Sequence, residues 1–163
     1  MRKQKGKRAQ AMIETLFAMM LIVFVFMEAL RLSRMIQTKT VLDHAAGRAA
    51  RAKAVGFNRF MCEKSARAAM IPVSGKRLWP QYGEYDTVSR VAQYMAAENA
   101  GRANAVLEYA GWHNAGISID SHPGLAPVAN SRIDVEDRFF GFRASGSATI
   151  ESHFPFYMDE AGR

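Results

Sequence analysis

The sequence predicts an α+β protein: a long N-terminal transmembrane helix extending into a small extracytoplasmic domain of helices packed on an antiparallel β-sheet. Three observations predict it. An uncharged apolar run, Thr15 to Met27, follows a basic leader; a helical spacing of small and apolar residues continues past that run; and three segments in the last third of the chain alternate apolar with polar residues.

With its less apolar flanks, segment 11–30 has about 20 residues, which at about 1.5 Å per residue spans the roughly 30 Å hydrocarbon core of a bilayer. Glu14 and Glu28 lie near its two ends. There a carboxylate can reach the interface, whereas burial at the centre would cost most. The formal net charge is +7, but the leader alone holds Arg2, Lys3, Lys5, Lys7 and Arg8, which leaves +2 for everything after it. Basic charge confined to one edge of an apolar segment follows the positive-inside rule, which places the N-terminus in the cytoplasm and the bulk of the chain outside. No nucleic-acid partner is expected, because the remainder has no basic stripe interleaved with aromatics. A cleaved secretory signal shares the basic-then-apolar layout. Here, however, the apolar core runs into Glu28-Ala29-Leu30-Arg31-Leu32-Ser33-Arg34, with no Ala-x-Ala pair for signal peptidase, so the segment is expected to stay in the mature protein.

The helical pattern passes the membrane edge. From Arg31 to Val55 there is no proline, and Met35, Thr38, Leu42, Ala45, Ala49 and Ala52 recur at spacings of three and four, with Arg34, Lys39, Arg48 and Arg51 off the stripe. A helix over 11–55 would be roughly 67 Å long, about twice a bilayer, so its outer half must pack on something. Alanines permit close approach either of its own domain or of neighbouring helices. Gly56-Phe57-Asn58 supplies the stop. The expected organisation is a cytoplasmic leader over 1–9, a transmembrane helix over 10–30, a helix extension over 31–56 and an outer α+β domain over 57–163.

Within that domain a short helix is expected over Phe60–Met70, followed by a loop containing Pro72, Ser74, Gly75, Pro80 and Gly83. Asp86 can cap a helix over Thr87–Ala110, with Val88, Val91, Met95, Val106, Leu107 and Ala110 broadly on one face and Gly111 ending it. Strands follow at 116–120, at 132–136 and in the last run. There Ala148, Ile150, Ser152, Phe154 and Phe156 share one side, and Ser147, Thr149, Glu151 and His153 the other. Pro123, Pro127 and Asn130 mark the connection between the first two. Period-2 patterning fits an antiparallel sheet with one wet and one covered face.

Catalytic patterns are missing from the sequence: it has no Gly-x-Ser-x-Gly, no His-Glu-x-x-His and no phosphate-binding glycine loop. A non-enzymatic role without metal or cofactor is therefore expected. His113, Asp120 and His122 fall in a predicted loop region at a spacing without a metal-binding rationale, and solvent-bonded histidines are the expected reading. The lone Cys62 excludes an intramolecular disulfide and a multi-cysteine zinc site. It is expected to be a small apolar core residue, the alternative being an intermolecular disulfide. Trp79, Trp112 and Phe139-Phe140-Gly141-Phe142 are expected in the core rather than on a ligand platform.

The N-terminal residues Ala9-Gln10-Ala11-Met12-Ile13-Glu14 resemble the processing site of type IV pilin-like proteins, in which a prepilin peptidase cuts four positions ahead of a glutamate. More narrowly, that segment, Met27-Glu28-Ala29-Leu30-Arg31 and His44-Ala45-Ala46-Gly47-Arg48-Ala49-Ala50-Arg51-Ala52 resemble the TadE-like pseudopilins of the tight-adherence pilus machinery. So does the closing Ala148-Thr149-Ile150-Glu151-Ser152-His153-Phe154-Pro155-Phe156. The resemblance covers about the first 55 residues and the last 15. It departs from the family pattern at Ala9, where glycine is usual; alanine is the smallest substitution, and a cut after Gly6 would put Glu14 at the eighth position.

The resemblance implies a pilin-like fold, cleavage between Ala9 and Gln10, and a pairing of Glu14 with the new α-amine of Gln10 that sets register as subunits assemble. A carboxylate one turn along the helix would offset an amine that is otherwise costly at the edge of a lipid environment. Glu28 and Arg31 are expected to mark the membrane exit. The implied partners are the bacterial inner membrane, prepilin peptidase, other pilin or pseudopilin subunits and pilus assembly proteins, with the subunit possessing a single span. The competing expectation is an uncleaved single-pass envelope protein whose outer domain binds a ligand or peptidoglycan.

Overall fold

The computed structural model describes residues 2–80, 87–122, 128–137 and 142–151, with the side chains of residues 2–9, 87, 121, 122 and 128 outside the description. The chain divides into two compact units, residues 1–36 and 37–163. It is α+β, as the sequence predicts: a long apolar N-terminal helix, then a small domain of helices and antiparallel sheets.

One α-helix, α1 (Arg2–Ala54), supplies the whole first unit and the first core stripe of the second. It ends as the glycine after the stripe requires. Gly56 takes φ 96°, its N–H donates to Lys53 O at 2.9 Å, and Phe57 N–H donates to Ala52 O at 3.1 Å. This pair of bonds is a Schellman closure, which needs a residue tolerant of positive φ. The helix stops at Ala54, one residue short of the expected end at 55. Asn58 then caps α2 (Arg59–Ala69), its side chain accepting from Met61 N–H at 2.9 Å.

The main sheet has the order β3-β4-β5, all antiparallel, from β3 (Gly116–His122), β4 (Val128–Asp137) and β5 (Phe142–Glu151). Its inner face buries Ile133, Val135, Phe142 and Ala144 against Leu42, Ala45, Ala46 and Ala49 of α1 and Ala66 and Met70 of α2. The alanine stripe therefore packs on its own domain, one of the two alternatives the sequence leaves open. Gly146 on β5 makes the approach possible: a Cβ there would fall inside the van der Waals envelope of the Leu42 and Asp43 backbone. The last strand begins at Phe142 and keeps the expected phase, with Ala148 and Ile150 inward and Thr149 and Glu151 exposed. Ser152, His153, Phe154 and Phe156 lie outside the described residues, as do Asp86, Pro123, Pro127, Phe139, Phe140 and Gly141.

A second core gathers around Tyr94, with Ala103, Leu107, Tyr109 and Trp112 buried beside it. Here the expected helix over 87–110 is corrected. The segment forms α3 (Thr87–Ala96), α4 (Ala100–Val106), a short strand β2 (Glu108–Tyr109) and one turn, α5 (Ala110–His113). Asn99 causes the break. It sits in extended geometry (φ −140°, ψ 163°) and accepts from Arg102 N–H at 2.9 Å, capping a new helix rather than continuing the old one. Val88 is correspondingly exposed rather than core-facing. The loop after α2 contains a 3-10 turn over Ile71–Val73 and a strand, β1 (Arg77–Trp79), paired antiparallel with β2. Gly111 lets the chain close on this loop: its N–H donates to Ser74 O at 2.9 Å, and a Cβ on Gly111 would come within 2.8 Å of that oxygen.

Candidate functional site

The residues singled out for assembly all lie on α1. Its most apolar window has mean hydropathy 2.2, none of it buried. Leu16, Phe17, Leu21, Ile22, Phe24 and Phe26 all stand more than half exposed. A continuous apolar surface of this kind marks contact with a membrane or with other protein. α1 is long and apolar enough to cross a membrane.

Ala9 is helical, its side chain outside the description, and Gln10 and Glu14 are exposed on the same helix. One turn separates Gln10 from Glu14, a rise of about 6 Å. Among the described residues Glu14 has no ion-pair partner, so its carboxylate is free to meet a cation. Thr15, next to it, turns its hydroxyl back to Met12 O at 2.9 Å and so stays satisfied within the helix. At the other end of the apolar run Arg31 lies 4.0 Å from Glu28, both side chains about half exposed. Spacing i,i+3 brings them to one face. At that exposure the pair is worth at most about 1 kcal/mol.

Beyond α1 the predicted constellations separate. His113 lies in α5, not in a loop, with Nε2 2.9 Å from Glu108 Oε1. Asp120 is exposed on β3, and the side chain of His122 lies outside the description. No group of metal-ligating side chains gathers among the described residues. Cys62 is fully buried in α2, as expected of a core residue, with Sγ 3.5 Å from Phe57 O. Burial pushes its thiol pKa above the usual value. Trp112 and Phe142 are core residues, whereas Trp79 is half exposed, contrary to expectation, on a strand only three residues long.

Lys64, which sequence reasoning overlooks, is 1% exposed on α2. Its ammonium donates to Met95 O and Ala97 O, each at 2.7 Å, and lies 4.9 Å from the centroid of the Phe60 ring. It closes the C-terminal end of α3 from another helix, where the helix dipole favours a cation. Burial lowers its pKa, while the two carbonyls hold the proton in place. A lysine one residue before a Ser-Ala pair on the buried side of a short helix is the only sequence signal for it.

Comparison with family models, with curated proteins and with solved structures finds no match for the chain.

Proposed function

We propose that this chain is a membrane-anchored TadE-like pseudopilin or minor pilin that takes part in assembling a tight-adherence pilus or a related secretion machine. The observation that carries the reading is α1, a single helix with an unburied apolar segment long enough to cross a bilayer. Glu14 stands exposed one turn after Gln10, and a basic leader precedes both. In this reading prepilin peptidase removes residues 1–9 and exposes the amine of Gln10 at the membrane edge. The Glu14 carboxylate neutralises that amine, in its own subunit or in a neighbour. A charge pair in a medium of low dielectric is far stronger than in water, so a mismatched neighbour is rejected. Residues 31–54 carry the chain out of the inner membrane, and the α+β domain faces the periplasm or the exterior. The role is structural, with other pilin subunits and assembly proteins as partners.

The mass of the mature N-terminus, measured together with co-purifying pilus components, tests the reading. The expected species begins at Gln10, and deletion of the peptidase leaves the longer form. A wild-type species retaining Arg2 or Lys3 would overturn the processing step. Glu14→Ala should abolish assembly while leaving membrane insertion intact; unimpaired assembly would favour an uncleaved envelope protein instead.

A further inference from the structure

The second unit carries unanswered charge of opposite sign on its two faces. The stripe that α1 turns to the sheet is apolar, so the other side of α1 points away from the domain. On that side His44, Arg48 and Arg51 are exposed, and their i, i+4 and i+7 spacing puts them on one face of the helix. Neither arginine has an ion-pair partner among the described residues. Gly47 lies beside them, with nothing within 4 Å of where a Cβ would stand. The far face of the sheet presents Asp120 on β3, Arg132, Asp134 and Glu136 on β4, and Arg143 and Glu151 on β5, all exposed. Both arginines of this face are already engaged, Arg132 with Asp134 at 3.1 Å and Arg143 with Glu136 at 4.0 Å. Asp120 and Glu151 are the carboxylates left over, with no ion pair among the described residues. Asp120 is opposite Asn130 and Asn130 opposite Thr149, so Asp120 and Glu151 fall at the same end of the sheet. The exposed neighbours there, Ser118, Ser147 and Thr149, are small and polar, and none of them stands high above the strands.

Two arginines on one face and two spare carboxylates on the opposite face are electrostatically complementary. They cannot meet within one chain, because the body of α1 and the sheet lie between them. They meet across two copies. An anionic lipid surface fits the arginines less well: Arg48 is about 25 Å further along α1 than Arg31, and a headgroup leaves Asp120 and Glu151 unanswered. We propose that the Arg48 and Arg51 face of α1 in one copy docks on the Asp120 and Glu151 face of the sheet in a second copy of this chain. The inference rests on the reading of the chain as an assembling subunit and adds the contact through which copies meet. The two faces differ, so the contact is heterologous: each copy offers one face to each neighbour, and the row extends instead of closing as a dimer.

The test uses the full chain in uncharged maltoside micelles. Gly47→Cys and Thr149→Cys chains are prepared separately, mixed and treated with a bismaleimide; the unsubstituted chain, whose Cys62 is fully buried, gives the baseline. A cross-link is expected in the mixture and not within either variant alone, and added salt should weaken it. Placing Arg48→Glu and Arg51→Glu in the first chain, or Asp120→Lys and Glu151→Lys in the second, should lower the yield at least about tenfold, because like charges then face each other. Mixing the two reversed chains should restore it, which also shows that both remain folded. Cross-links equally abundant within one variant, a yield indifferent to the reversals, or no recovery in the doubly reversed mixture overturns the proposal. A yield that requires added phosphatidylglycerol also overturns it and assigns the arginines to lipid. The mature N-terminus is measured separately, so failure of this contact and failure of the pilin reading are told apart.

Discussion

The carboxylate of Asp43 accepts a hydrogen bond from the backbone N–H of Ser147 at 3.3 Å, across 104 residues of chain. Ser147 lies on β5, the last strand in the order β3-β4-β5. A strand in that position leaves every second N–H without a ladder partner and open to foreign strands. Asp43 occupies one such group from the helix that covers the sheet. Asp43→Ala should accelerate hydrogen exchange at the Ser147 amide and cost about 1 kcal/mol. Unchanged exchange at Ser147 would show that the contact protects nothing.

Two glycines, one on β5 against the helix and one on α1 facing open space, should respond in opposite directions. Gly146→Ala pushes a methyl into the Leu42 and Asp43 backbone and should destabilise the chain by about 3 kcal/mol. Gly47, inside α1, has nothing within 4 Å of where a Cβ would stand. Gly47→Ala should therefore stabilise by about 0.5–1 kcal/mol through helix propensity alone. Chemical unfolding of both variants in detergent checks the pair. Equal effects would refute the close approach of helix and strand.

How far the sequence revealed this interface depends on the residue type. The alanine stripe on α1 and the period-2 runs of β3, β4 and β5 were legible because each repeats a spacing over several turns or residues. What the stripe faced was not legible, since alanine suits a sheet or another helix equally. The break at Asn99 is not legible, because Val91, Met95, Val106 and Leu107 keep a helical spacing across it and a local capping bond overrides that pattern. Lys64 carries only a faint signal, because its partners are backbone carbonyls, which have no side-chain signature. Glu14 and Gln10 stand out only through the resemblance to pilin-like proteins, and the fold adds that they are exposed one turn apart.

Lys64→Met should cost about 1–3 kcal/mol, because it takes the Lys64 donor from Met95 O and Ala97 O. Protease cleavage concentrated after α3 should accompany the loss, which limited proteolysis followed by mass spectrometry would read. A variant as stable and as resistant as the wild type would rule out the clasp.

Cys62 sets an alkaline limit. Its folded thiol pKa is raised above the ordinary thiol value of 9.0, chiefly by burial. Above pH 9 the unfolded state releases its proton first, so the folded state binds more protons and stability falls as pH rises toward the folded value. Below pH 9 the contribution is fully present. Relative to Cys62→Val, the wild type should lose up to about 1.4 kcal/mol per pH unit across that window. Parallel pH profiles would refute this.

Ala9 offers a test of processing that leaves the helix intact. Ala9→Gly should raise the fraction of chain beginning at Gln10, and a bulky residue there should lower it, both read by intact mass. Processing insensitive to position 9 would move the cut elsewhere.

Gly146 also settles a question that alternation leaves open. Sliding β5 by two residues would keep the same faces inward and outward, so the apolar pattern alone tolerates the slip. The same-face neighbours two places away are Ala144 and Ala148, and each would carry its methyl into the helix backbone. The strand therefore has a single notch, cut by one missing side chain, and the domain closes on α1 in that position or does not close.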